Sequence, residues 1–74
     1  MGNVELKVGD RVKINPIYRT EFVQGLVKGK TGTVEDISHY LNAPTYKVRY
    51  DEPYTSHGYT AEFDYYYAQE VEKI

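Results

Sequence analysis

The sequence predicts a small all-β barrel, and three observations carry the prediction. Several short runs alternate apolar and polar residues with the period of a strand, most clearly Tyr46-Lys47-Val48-Arg49-Tyr50. Turn formers stand between those runs: Gly9-Asp10, Asn15-Pro16, Gly29 with Gly32, Pro44, Pro53 and Gly58. The aromatic content rests on nine tyrosines and two phenylalanines, which suit a pleated surface and can fill a small core with the hydroxyl left at its rim.

The expected strands are residues 10–14, 32–38, 45–50, 58–63 and 71–74. In the first, Val12 and Ile14 alternate with Arg11 and Lys13, and Asn15-Pro16 stops the run because proline cannot donate to a ladder. Residues 15–29 form a long, rather apolar connection. Either they fold back as an irregular hairpin-like loop, the favoured reading, or residues 19–26 make a short helical turn. Gly32 is expected to turn the chain at positive φ into the second strand, where Thr33 and Val34 are β-branched. A loop over 38–44 leads to the third strand, with Tyr46, Val48 and Tyr50 on one face. A second loop over 51–58 leads to the fourth, with Tyr59, Ala61 and Phe63 together. Residues 64–70 read as a short helical turn carrying Tyr65, Tyr66 and Tyr67, before a short last strand.

Seventy-four residues make a single domain over 1–74. A chain of that size buries only about 60% of its unfolded surface, so its stability is marginal. With no cysteine, disulfides and thiolate metal sites are excluded, which fits a reducing cytoplasm. No apolar run approaches the roughly 20 residues of a membrane helix. The N-terminus lacks a basic and an apolar region for a signal peptide, and Leu6 stands where a myristoylation signal expects Ser or Thr. The expectation is a complete, soluble, cytoplasmic product. Net charge is −2, but residues 1–49 carry eight basic and five acidic side chains and residues 50–74 carry one and six. The two parts therefore stand at +3 and −5, a pattern that can mark two faces.

Two segments carry a resemblance. Val8-Gly9-Asp10-Arg11-Val12-Lys13-Ile14, followed by Lys28-Gly29-Lys30-Thr31-Gly32-Thr33-Val34-Glu35-Asp36-Ile37, resembles the KOW motif of ribosomal proteins and transcription-elongation factors. The chain is equally similar to small bacterial and bacteriophage proteins of unknown role that share these turns. The resemblance implies a five-stranded SH3-like barrel with a long first loop and a short 3-10 turn before the last strand, and Tyr67-Ala68-Gln69-Glu70-Val71-Glu72-Lys73 fits that ending. It also implies nucleic-acid binding. From that pattern the chain departs in its longer, more apolar connection over 15–28 and its acidic C-terminal third.

For chemistry the sequence offers little. His39 and His57 are the only histidines, each in a polar stretch, and Ser56 beside His57 is adjacency without an orienting acid. His39, His57, Asp51 and Glu52 have no metal-ligand spacing. Neighbouring carboxylates such as Glu35-Asp36 point to opposite faces of a strand. The expectation is therefore no catalysis, no cofactor and no metal. The favoured function is a non-catalytic interaction module that binds a protein or peptide through Tyr18, Phe22, Tyr40, Tyr54 and Tyr65, since amphipathic aromatics are typical of interfaces. The first alternative is an RNA- or DNA-binding protein using Lys28, Lys30, Lys47 and Arg49. The second is an acidic surface mimic that occupies a nucleic-acid-binding protein through Asp51, Glu52, Glu62, Asp64, Glu70 and Glu72.

Overall fold

Alternating burial builds the sheet, as the sequence pattern requires. In β1 (Arg11–Ile14), Val12 and Ile14 are buried and their neighbours exposed; in β3 (Ala43–Ser56), Tyr46, Val48 and Tyr50 are buried. The computed structural model describes residues 6–74. It adds β2 (Thr31–Tyr40), β4 (Tyr59–Tyr67) and β5 (Val71–Lys73), all antiparallel, in the order β4-β3-β2-β1-β5. The terminal strands β4 and β5 are not paired with each other, so the sheet is open rather than a hydrogen-bonded barrel. No helix among the described residues is long and apolar enough to cross a membrane.

Two irregularities keep the apolar side chains inward. The β2–β3 register shifts between Val34 and Asp36, so Glu35 is an extra residue and both Val34 and Ile37 reach the core. The β3–β4 register shifts between Arg49 and Tyr54. This second shift corrects the expected face of β4: Ala61 and Tyr66 point in, whereas Phe63 is 39% exposed and Tyr59 lies outside.

The loops are shorter than the turn signals suggest. β2 runs to Tyr40, and Leu41-Asn42 alone reverse the chain, with φ of 51° and 67°. His57-Gly58 do the same for β3 and β4, with φ of 52° and 79°. Paired left-handed residues match the twist of the flanking strands, which explains why two residues suffice. β4 likewise absorbs residues 64–67, leaving only η1 (Ala68–Glu70) as a 3-10 turn.

The connection after β1 holds α1 (Glu21–Val27), a helix in place of the favoured hairpin-like loop, beginning two residues and ending one residue later than the alternative turn over 19–26. Thr20 caps it by accepting from the Val23 N–H at 3.3 Å, Glu21 stands in the first turn, and Gln24 Nε2 donates to the Arg19 carbonyl at 2.7 Å. Val27 is buried in the core, with Leu26 packed beside it.

Gly32 turns out to be needed for space. Its φ is not left-handed; Gly29 holds that conformation, at 84°. A Cβ on Gly32 would lie 2.4 Å from the Arg49 carbonyl oxygen and 2.7 Å from Val48 Cγ1. β2 pairs with both β1 and β3 at this residue, which is why the strands close in there.

Candidate interaction surface

The surface is organised by a carboxylate that sequence reading placed outside. Glu70 is 1% exposed. The 3-10 turn aims its side chain back into the molecule, where Oε2 accepts from the N–H groups of Ile17 at 3.0 Å and Tyr18 at 3.1 Å, and Oε1 from Tyr67 at 3.1 Å. Its backbone oxygen accepts from Asn15 at 2.7 Å. A buried carboxylate is tolerated when its oxygens are hydrogen-bonded, and backbone donors serve here. Residues 15–19 are thus tied to the end of the sheet. Arg19 follows, with Nη2 donating to the Tyr65 carbonyl and its guanidinium 4.2 Å from the centre of the Tyr66 ring.

Behind them lies a polar interior. Tyr50 donates to Asp64 Oδ2 at 2.7 Å, and with that proton committed Tyr66 donates to Tyr50. Tyr54 adds a 3.4 Å bond to the same Asp64 oxygen. Burial raises the Tyr50 and Tyr54 hydroxyls above the ordinary value, and pushes Tyr66 up to about 12.

The five expected partner-binding residues are dispersed. Tyr18 is 61% exposed and meets the Tyr67 ring edge-on at 5.6 Å. Phe22, on α1, is 59% exposed and lies 5.8 Å from the His57 ring at the β3–β4 turn. Tyr65 stands on the outer face of β4 with Phe63 at 6.2 Å. Tyr40 is exposed at the far end of β2, and Tyr54 is half-buried against Tyr50 at 5.7 Å. Among the described residues no two of the five rings touch; each pairs outside the set, except Tyr40, which pairs with none.

The basic residues do not converge. Lys47 lies 3.7 Å from Glu35, and Arg49 binds both Glu35 and Glu62, while both cations lean on the Phe63 ring at 4.3 and 5.5 Å. A hydrogen bond from Arg49 holds the Glu35 carboxyl below its ordinary value. Lys28 and Lys30 line a shallow depression of about 460 Å³ with Gly29, Thr31, Asp51 and Glu52. There Lys30 Nζ donates to the Glu52 backbone at 2.8 Å, and Asp51 takes a two-pronged bond from Arg11 and a third from Thr31 at 2.6 Å. Arg11 first, then Thr31, hold the Asp51 carboxyl well below the usual carboxylate range.

The acidic set is scattered in the same way. Glu70 is interior, Asp64 serves the tyrosines, and Asp51 and Glu62 are paired, leaving Glu52 and Glu72 as exposed acids without a side-chain partner among the described residues. Ser56 Oγ lies 3.0 Å from His57 Nδ1 at an exposed turn. Among the described residues no three of His, Asp and Glu gather as metal ligands. Arg19, Asp64 and Glu70 were missed as structural groups because each reads locally as a solvated charge in a turn. Comparison with protein-family models, curated proteins and solved structures finds no match to this chain.

Proposed function

We propose that the chain is a non-catalytic interaction module on a partly open SH3-like barrel, binding an extended protein or peptide segment across Tyr18 and Phe22. The strand order and the 3-10 turn before β5 support the barrel reading. One observation carries the binding reading: Tyr18 is 61% exposed, yet its backbone is fixed by the buried Glu70 and its ring by Tyr67. A large ring held in place before binding loses little conformational entropy on contact, which is what an interface anchor needs. Phe22 lies four residues on, capped onto the same segment through Thr20 and Gln24.

Pairing of Lys47, Arg49 and Arg11 with carboxylates weighs against the nucleic-acid alternative, because phosphates would have to displace those partners. The test is calorimetric. A linear peptide selected from a displayed library is titrated against the wild type, Tyr18→Ala and Phe22→Ala. A loss of about tenfold or more in either variant is expected, the size of a hot-spot side chain. Equal affinity in all three would sink the proposal. Steeply salt-dependent binding of RNA or DNA oligonucleotides would restore the basic alternative.

A further inference from the structure

Residues 15–19 join two fixed points. On one side Ile14 is buried in the core and donates to the Lys30 carbonyl at 2.8 Å; on the other Val27 is fully buried. Between them little apolar area is committed: Pro16 is buried, but Ile17 and Tyr18 are largely exposed. The attachment is polar and converges on one residue. Asn15, Ile17 and Tyr18 all donate to Glu70, through its backbone oxygen or its carboxylate. Arg19 adds the Tyr65 carbonyl, yet its buried Nε has no hydrogen-bond partner and stands 3.7 Å from Glu70 Oε2. Gln24 Nε2 binds the Arg19 carbonyl, so the segment is tied to α1 as a unit.

We infer that residues 15–19 form a strap that opens from an intact sheet, with Glu70 as its latch. Opening breaks the bonds to Glu70 together, because they share one acceptor residue. The Tyr67 N–H keeps Glu70 Oε1, since that bond closes within the 3-10 turn. The Tyr65 carbonyl, on the unpaired edge of β4, becomes accessible once Arg19 leaves it. A region held by few buried apolar contacts and a handful of polar bonds belongs to the low-stability end of a fold, and so opens before the whole. Opening also frees the Tyr18 backbone from Glu70, so the Tyr18 ring is held in place only while the strap is closed.

Native-state hydrogen exchange tests it. In the wild type, the Ile17 and Tyr18 amides should exchange at least about tenfold faster than those of Ile14 and Val34, which bind the Lys30 and Asp10 carbonyls. Their rates should also be insensitive to low denaturant, as local openings are. In Glu70→Gln, where an amide group faces one of the donors, the gap should widen about tenfold further. Equal protection of strap and sheet amides in the wild type, with equal denaturant dependence, would overturn the inference. So would a Glu70→Gln variant that speeds every amide by the same factor. Should that variant fail to fold, the wild-type denaturant series decides alone.

Discussion

The interior has two halves made from different chemistry. Beneath β1, β2 and the middle of β3 it is aliphatic, with Val12, Ile14, Val27, Val34 and Val48 fully buried. Toward the end of β4 and η1 it is polar: Tyr50, Tyr66 and Asp64 are hydrogen-bonded to one another, Arg19 lies over the Tyr66 ring, and Glu70 accepts from backbone N–H groups. The first half is held by area and shape, the second by geometry. A 74-residue chain has few aliphatic side chains to bury, and this one completes its core with tyrosines. Buried hydroxyls need partners, and the acidic C-terminal third supplies one in Asp64. The charge asymmetry of the sequence therefore reflects interior construction and local ion pairs more than two faces.

Four substitutions probe that contrast. Gly32→Val strikes the aliphatic half where β2 meets β3, and should cost roughly 3 kcal/mol or more in urea unfolding, or prevent folding, because it would press on the Arg49 backbone and on the buried Val48 side chain. A stability near wild type would mean that the strands can part there. Val48→Ala opens a cavity in the same half and should cost about 2 kcal/mol. Tyr66→Phe removes a single hydroxyl from the polar half and should cost about 1 kcal/mol, since Tyr50 keeps Asp64 as acceptor. A cost matching that of Val48→Ala would show the polar network to be cooperative. Arg49→Ala, on the outer face, should leave the unfolding midpoint nearly unchanged, because exposed ion pairs contribute little.

The two halves also differ in how far the sequence reveals them. Val12, Ile14, Val34, Tyr46, Val48 and Tyr50 announce themselves by period, and β1 and β3 follow. The limits of that reading come from the register shifts: no local signal says that Glu35 is an extra residue, or that Phe63 turns outward two residues after Ala61. Turn chemistry failed where Pro44 and Pro53 were accommodated within a long strand paired on both sides only in part. α1 was obscured by Gly25 and its short length, although Thr20 and Glu21 form a recognisable start. The polar half is the least legible. Glu70 looks like any exposed acid, and only the 3-10 turn, which directs it at the strap, makes it a buried acceptor.

Alkaline titration tests the polar half most directly. Burial, first of all, raises the Tyr50 and Tyr66 hydroxyls, Tyr66 to about 12, whereas in an unfolded chain both ionise near 10. Between those values the unfolded state binds fewer protons, so stability falls as pH climbs from about 10 through about 12. Followed by phenolate absorbance and circular dichroism together, with Tyr66→Phe as the reference for its own phenolate signal, Tyr50 and Tyr66 should ionise only as the sheet is lost. If Tyr50 and Tyr66 ionise near 10 while the sheet persists, the hydrogen-bonded interior does not exist.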